Sequence, residues 1–157
     1  MATHNEWIAP IFTIIGVLVG ALINPGVAWW LRKKRRLGHW RAIKAEVEHD
    51  RWQAQEYVDA GIQSPANRLI TICYEKGFPP LLEDGVLSTE DTQAMLRFYD
   101  LVDQANRTLE EVNDEMRKGN VEQMTKDAKR VALKMKQVAD RQEAYARAMT
   151  VIVKHLT

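Results

Sequence analysis

The hydrophobic pattern divides the chain into an uncharged amino-terminal run and a longer region with helical periodicity. The run extends from Trp7 to Leu31 without a formal charge. As a helix rising about 1.5 Å per residue it would reach roughly 37 Å, which exceeds the about 30 Å of a bilayer's hydrocarbon core. Trp7, Trp29 and Trp30 stand at its two ends, and indoles favour the membrane interface. This pattern predicts a transmembrane helix over residues 7–31.

The charges on either side of this run predict its orientation. Five consecutive cations, Arg32–Arg36, follow it, whereas the segment MATHNE before it carries only Glu6 and the terminal amine. The positive-inside bias then places residues 1–6 outside the cell and the remainder in the cytoplasm, as in a single-pass protein of the inner (plasma) membrane. A cleaved signal peptide is the alternative, but its cations would precede the apolar run and a small-residue cleavage site would follow it.

Small and polar residues form one face of the predicted membrane helix. Thr13, Gly16, Gly20 and Asn24 lie three or four residues apart, and Gly16 and Gly20 form a GxxxG element that permits close helix approach. The face predicts helix self-association, although glycine is also common in membrane helices by chance. Pro25 predicts a bend near the cytoplasmic end, which is a simpler interpretation than a gate.

Residues 37–157 have the spacing of amphipathic helices. A first helix is predicted from Leu37 to Ala60, with an apolar face of Trp40, Ile43, Val47, Ala54 and Val58. Ser64-Pro65 predicts the start of a short second helix that ends near Lys76. Residues 78–85, which contain Pro79-Pro80, are predicted to be a tight connector.

The remaining sequence predicts a heptad hairpin. Ser88 is the expected cap of its first helix, and Asn120, after Gly119, is the expected cap of a second helix that continues to Leu156. Gln142 on the second seam is interpreted as a register residue, with a ligand contact as the alternative. The first seam contains Met95, Phe98, Val102, Ala105, Leu109, Val112 and Met116, and the second contains Val121, Met124, Ala128, Val131, Met135, Val138, Tyr145, Met149 and Ile152.

The predicted fold class is therefore all-α, with one N-terminal transmembrane helix followed by a cytoplasmic antiparallel helical domain that contains a long heptad hairpin. The predicted divisions are an extracytoplasmic N-terminus (1–6), a transmembrane helix (7–31), a cationic stop (32–36) and the helical domain (37–157). A hydrophobic share of 46% argues against disorder, and the single cysteine excludes an internal disulfide framework. Residues 37–157 carry 17 Lys or Arg against 20 Asp or Glu, so this domain is mildly acidic.

The sequence contains no recognised catalytic motif, and we predict a protein that is not an enzyme and has no cofactor or metal site. Cys73 lies in an apolar stretch and is expected to be an inert thiol. Glu46, His49 and Asp50 are helical neighbours that could hold a metal, but a solvated charged face is the favoured interpretation.

Trp52 is the most informative candidate residue, because it falls opposite the apolar face of the first predicted helix, on the same side as His49. Such an aromatic residue has three interpretations: a second buried face covered by the hairpin or by another subunit, a site where a flat ligand stacks, or incidental exposure. Cations near it suggest an anionic ligand. The candidate ligand-binding residues are His49, Arg51, Trp52, Asn67, Arg68 and Lys76.

The order of amino-terminal anchor, cationic stop and compact helical domain resembles the membrane-anchored accessory effectors of type III CRISPR antiviral systems that are activated by cyclic tetra-adenylate. The resemblance covers the whole chain as architecture, without a diagnostic motif. It implies a homo-oligomer, a tetramer by this likeness, whose cytoplasmic domains bind the messenger and whose anchors perturb the bilayer.

The leading functional hypothesis is an oligomeric membrane effector that binds an anionic signalling ligand, for which cyclic oligoadenylate is the best guess, and that has the lipid bilayer as its other partner. No DNA or RNA duplex is expected as a partner. The alternatives are a membrane-tethered helical scaffold or adaptor that presents the hairpin to a protein, and a phage- or plasmid-borne lysis or exclusion protein.

Overall fold

The computed structural model of the chain describes residues 8–60, 68–140 and 143–157, except for the side chains of residues 8–16, 18–24 and 124. In this described part every regular element is a helix, which confirms the all-α prediction. The helices are α1 (Ile8–Ala60), α2 (Ile72–Glu83), α3 (Thr89–Lys118), α4 (Val121–Ala139) and α5 (Ala144–Leu156).

The predicted transmembrane helix is wrong, and the predicted single-pass localisation fails with it. Among the described residues, no helix offers an apolar stretch long enough to cross a bilayer. α1 continues through Leu31 and the cations as one helix, so no helix boundary separates them from the first predicted helix of the domain.

The chain is divided into two units directly after the cation run Arg32–Arg36. The first comprises Met1–Leu37 and the second Gly38–Thr157. Pro25 lies inside α1, and the helix assignment continues through it. The side chains of the predicted association face, Thr13, Gly16, Gly20 and Asn24, lie outside the described residues.

The second unit has one hydrophobic core, to which all five helices contribute. On α1 the predicted apolar face is buried at Trp40, Ile43, Val47 and Ala54, but Val58 at the helix end is exposed. Trp40 also stacks on His155 of α5, with ring centroids 5.0 Å apart and planes 4° apart. The carboxyl-terminal half of α1 is therefore held against the end of the chain by packing of Trp40 on His155.

The hairpin of α3 and α4 forms as predicted over most of its length. Ser88 caps α3 in a reciprocal capping box with Asp91, and Gly119 ends the helix in the left-handed conformation at φ 73°. Asn120 accepts a hydrogen bond from the Gln123 amide at the start of α4. The buried seam consists of Met95, Phe98, Val102, Ala105, Leu109 and Val112 on α3, and of Ala128, Val131, Met135 and Val138 on α4.

The seam ends before the turn of the hairpin. Met116 and Val121, both predicted as seam residues, are 50% and 66% exposed on either side of Gly119. The helices are antiparallel here, as the Arg130–Glu111 ion pair at 3.0 Å shows.

The last predicted helix is divided in two. α4 ends at Ala139, Asp140 is extended, and α5 begins at Ala144. This break allows α5 to pack along α3, where Lys154 pairs with Asp91 at 2.8 Å. Gln142 lies outside the described residues, so its predicted register role is not tested.

The second predicted helix begins and ends later than expected. Ser64 and Pro65 lie outside the described residues, and α2 runs from Ile72 to Glu83 with two prolines inside it. Gly77, expected to end the helix, is instead buried within it. A Cβ at this position would approach His39 Nδ1 to 3.3 Å, so glycine permits the close contact with α1.

Candidate functional site

Of the predicted ligand residues, the structure brings His49 and Trp52 together. Both are exposed on α1, and their ring centroids are 5.9 Å apart at an interplanar angle of 38°. Trp52 is 54% exposed, so the hairpin of the same chain does not cover it. Covering by a second subunit and stacking on a flat ligand therefore both stay predictions.

Arg51 points away from that aromatic pair and contacts a different helix. Its guanidinium carbon lies 5.2 Å from the centroid of the Tyr145 ring on α5, and its Nε is buried without a hydrogen-bond partner. Arg51 also borders a cavity of about 370 Å³ whose other lining residues include Val58 of α1 and Lys136 of α4. The residue thus serves the packing of three helices.

The other predicted cations do not join this set. Arg68 makes an exposed ion pair with Glu110 of α3 at 3.0 Å, and Lys76 is exposed on α2. Asn67 lies outside the described residues. Within the described part of the chain, no hydrogen bond, ion pair or ring contact connects Arg51, Arg68 and Lys76.

The most constrained polar group in the second unit is a buried pair of carboxylates on α1, Glu46 and Asp50, which we call the carboxylate pair. Glu46 is 5% exposed and accepts three hydrogen bonds. Its donors are the backbone amides of Cys73 at 2.6 Å and Tyr74 at 2.9 Å, and the Tyr99 hydroxyl at 2.9 Å. Glu46 thus supplies acceptors for free N–H groups in the first turn of α2, which has no side-chain cap of its own.

Asp50 lies one helical turn further along α1 and is completely buried. Its Oδ1 accepts a hydrogen bond from the Ile70 amide at 2.8 Å, whereas its Oδ2 is buried with no partner. Burial, with a smaller effect of the Glu46 charge, raises the pKa of Asp50 to about 7 although the Ile70 amide opposes the change. The carboxyl group of Asp50 therefore retains a proton over most of the acidic pH range.

The segment Arg68–Tyr74, which we call the pinned segment, is held from two sides. The carboxylate pair binds the amides of Ile70, Cys73 and Tyr74. From α3, the side-chain amide of Asn106 binds both backbone polar groups of Leu69, accepting at 2.8 Å and donating at 3.0 Å. Polar side chains thus fix a stretch of chain that has no sheet or helix partner before Ile72.

The interpretation of Glu46 and Asp50 as part of a solvated charged face is wrong. The signal that identifies them was present in the spacing: Asp50 fills the gap between Val47 and Ala54, at the three-four interval of the apolar face. A charged residue at a core position indicates a buried polar contact, whose partners on α2 and α3 are distant in sequence. His49, between them in sequence, is exposed.

A second carboxylate, Asp91, joins the start of α3 to the end of α5. It accepts hydrogen bonds from Lys154 at 2.8 Å and from its own cap Ser88, and it lies 3.3 Å from His155 Nε2. Burial alone would raise the pKa of Asp91, but the hydrogen bonds from Lys154, His155 and Ser88 outweigh it and lower the pKa to about 2. Asp91 is therefore ionised under all ordinary conditions and fully engaged in structure.

A groove between α3 and α5, the α3–α5 groove, contains the two cations that the sequence analysis did not single out. Arg97 and Arg147 both border its two adjoining cavities, of about 420 and 350 Å³. Among the described residues neither arginine makes an ion pair. The carboxylates of Glu90, Asp91, Asp100 and Glu143 line the same cavities. The two arginines therefore share the groove with four acidic side chains.

In the first unit, the described side chains concentrate apolar and cationic groups in the segment Val27–Arg36, which we call the Trp–Lys segment. Trp29 and Trp30 are 59% and 55% exposed. The amino groups of Lys33 and Lys34 lie 5.6 and 5.1 Å from the indole centroids of Trp29 and Trp30, respectively. Each indole is thus exposed to solvent with a cation one helical turn beyond it.

The described residues contain no group of three or more His, Cys, Asp and Glu side chains placed to hold a metal ion. Cys73 is half-buried, and burial together with the nearby Glu46 charge raises the pKa of its thiol. No family model matches the chain, and no match was found among the curated proteins or the solved structures. The resemblance to the CRISPR accessory effectors accordingly stays a prediction.

Proposed function

We propose that this protein is a non-enzymatic adaptor that binds the surface of an anionic membrane through the Trp–Lys segment. The helical unit Gly38–Thr157 is then the part of the adaptor that binds other molecules. The observation that carries the proposal is the exposure of Trp29 and Trp30 directly beside the five cations Arg32–Arg36. Binding at a lipid surface, unlike a membrane span, requires no long apolar helix.

Exposed apolar area supports a lipid surface as the partner. Besides the two indoles, Val27 and Leu31 are 49% and 43% exposed, so adjacent residues of α1 present apolar groups to solvent. Indole rings partition into the interfacial layer of a bilayer, where the ring is apolar and its N–H is hydrated. The long side chains of Lys33 and Lys34 can keep their amino groups among the lipid headgroups. The indole rings of Trp29 and Trp30 can meanwhile enter the interfacial layer of the bilayer.

The local charge supports an anionic lipid. No Asp or Glu occurs between Trp7 and Ala45, so the five cations lie in a stretch of sequence without acidic residues. Each Lys or Arg near an anionic leaflet contributes about 1 kcal/mol of attraction. A nucleic acid would meet the same charge, but it gives no reason for the exposed valine and leucine beside the indoles. Duplex binding is therefore an outcome that the test must exclude.

The test is co-sedimentation of the intact protein with vesicles of phosphatidylcholine and phosphatidylserine. Lys33→Gln with Lys34→Gln should lower partitioning roughly 10- to 30-fold, since about 1 kcal/mol is lost per lysine. Trp29→Ser with Trp30→Ser should lower it by roughly tenfold or more through lost apolar burial. Lys129→Gln with Lys136→Gln, two exposed lysines of the second unit, is the matched control and should leave partitioning unchanged.

Three results would contradict the proposal. The first is a loss of vesicle partitioning in the lysine control that equals the loss in the Trp–Lys variants. The second is unchanged partitioning in both Trp–Lys variants. The third is a preference of the protein for duplex DNA over anionic vesicles at the same ionic strength.

A second candidate function is the binding of an anionic ligand. It is favoured by Arg97 and Arg147, which border both cavities of the α3–α5 groove and make no ion pair in the described part of the chain. A phosphate between two guanidinium groups would gain charge-assisted hydrogen bonds. The carboxylates that line the same groove would accept hydrogen bonds from the amino groups of a nucleobase, so a nucleotide fits this mixture of charges better than a simple polyanion.

Titration of the full chain with cyclic oligoadenylates, followed by calorimetry, tests this second function. Arg97→Gln and Arg147→Gln should each weaken binding roughly tenfold or more if the α3–α5 groove is the site. Arg51→Gln and Arg68→Gln should do so instead if the residues predicted from sequence form it. Absence of heat with every cyclic oligoadenylate would remove this candidate and leave the membrane adaptor as the proposal.

A further inference from the structure

We propose that Asp50 is a proton-operated latch that keeps the pinned segment, Arg68–Tyr74, seated on α1. With its carboxyl group protonated, the segment is closed. When that proton leaves, two adjacent buried carboxylates repel one another, and the segment opens to admit water. This device goes beyond the proposed function, because it regulates the helical unit and needs no membrane.

The first step of the argument is the lack of compensation for a second negative charge. Glu46 already directs both of its oxygens at donors, namely two backbone amides and the Tyr99 hydroxyl. Asp50 has one amide donor for one oxygen and none for the other. A buried ion that lacks a counter-ion is costly, so ionisation of Asp50 favours any arrangement that hydrates it.

Among the described residues, the groups that face Asp50 do not include a cation. Glu46 lies on its own helix, the Cys73 thiol approaches from α2, and the Tyr99 hydroxyl approaches from α3. The nearest basic group that acts on this cluster is Lys76, which is exposed and influences Cys73. The Ile70 amide is thus the one described hydrogen-bond donor to Asp50.

The second step concerns which part of the molecule opens. Hydrogen bonds to side chains attach the pinned segment at Leu69, Ile70, Cys73 and Tyr74. The segment is also packed on the hydrophobic core at two points, since Leu69 is buried and the Tyr74 ring stacks on Tyr99. Between these two points, Ile70 and Ile72 are 40% and 58% exposed even in the closed state, so little apolar burial opposes opening of the chain at Ile70. Such segments are the ones that open locally without unfolding of the domain.

Hydrogen exchange of the full chain at a series of pH values tests the latch, with rates corrected for intrinsic exchange. The Ile70 amide should lose protection about tenfold per pH unit between about pH 4 and 7, because the open state releases the Asp50 proton and the closed state retains it. Above about pH 7, protection of the Ile70 amide should no longer change with pH. Asp50→Asn should abolish this slope, and Asp59→Asn, an exposed carboxylate on the same helix, should leave it unchanged.

Several results would overturn the latch. They are wild-type protection of Ile70 that does not vary with pH, and an unchanged slope in Asp50→Asn. Equal protection of Ile70 and of the core residue Val102 would also overturn it, because the segment would then open only with the whole domain. Should Asp50→Asn not fold, the Asp50 carboxyl carbon is titrated by NMR in the wild-type chain, where a midpoint near 7 is expected and one near 4 contradicts the latch.

Discussion

Glu46 is the residue that links three helices by hydrogen bonds alone. Its carboxylate replaces a local cap at the start of α2, because Thr71, which precedes the helix, directs its hydroxyl to Glu75 instead. The Tyr99 hydroxyl completes the set from α3. Hydrogen bonds to a buried charged group are worth more than neutral ones, so each of these three contacts stabilises the fold measurably.

Tyr99→Phe should therefore destabilise the protein. The change removes the hydroxyl donor and leaves the buried Glu46 oxygen with one amide, which costs about 1.5–3 kcal/mol. Tyr145→Phe is the matched control, because that hydroxyl makes no hydrogen bond in the described structure, and it should change stability by less than about 0.5 kcal/mol. Urea unfolding monitored by circular dichroism measures both. Equal effects of the two substitutions would show that the Tyr99–Glu46 contact contributes nothing.

Asp50 should also make global stability depend on pH. Its folded pKa of about 7 exceeds the ordinary value of 3.8, so the folded state binds more protons between these limits. Stability from this group is full below about pH 4, falls as the pH rises, and is lost above about pH 7. Asp50→Asn should consequently unfold at higher urea than the wild type at pH 8, and the difference should narrow toward pH 4. A wild type that gains stability from pH 5 to 7 relative to the variant would contradict this assignment.

At the scale of elements, helix ends that depend on local residues were predictable and those that depend on distant residues were not. Ser88 and Asn120 cap α3 and α4 through amides three residues away, and Gly119 ends α3 by its own conformation. α2 instead takes its acceptors from Glu46, which lies 27 and 28 residues earlier in the chain. Its start could not be read from the residues beside it.

The same distinction explains the other differences between the predicted and observed elements. Gly77 has the sequence of a helix end but serves as a point of close approach to His39. The heptad pattern continues past Ala139, yet α4 ends at that residue and α5 begins at Ala144, from where α5 reaches Trp40 and Asp91. The pattern identifies which residues are buried, whereas three-dimensional contacts decide where each helix stops.

A pair of glycine substitutions tests the role of the hairpin turn. Gly119→Ala forces a side chain into the left-handed region and should cost about 1–2 kcal/mol, although no atom lies within 4 Å of the added Cβ. Gly38→Ala is the control: it also meets no atom within 4 Å but lies inside α1, where alanine should add about 0.5–1 kcal/mol of stability. Thermal unfolding distinguishes them by the opposite direction of the shift in Tm. A lower Tm for Gly38→Ala would contradict the helical conformation at that position.

At the scale of the whole molecule, the structure describes two units, Met1–Leu37 and Gly38–Thr157. The cation run and its neighbouring tryptophans predicted the cytoplasmic end of a membrane span, and that span is wrong. The candidate ligand residues stay a prediction, since Arg51 and Arg68 each have a structural partner while Arg97 and Arg147 have none in the described chain. The sequence shows where the arginines are, but only the folded structure shows which of them have no structural partner.

The central claim is that the chain binds an anionic lipid surface, and its dependence on lipid charge is the most direct test. Intact protein is sedimented with neutral phosphatidylcholine vesicles and with vesicles containing about 30% phosphatidylserine, at about 0.1 M and about 0.5 M salt. We predict strong binding to the anionic vesicles at low salt, at least tenfold weaker binding at high salt, and weak binding to neutral vesicles. Equal partitioning into both kinds of vesicle, or none into either, would contradict the account.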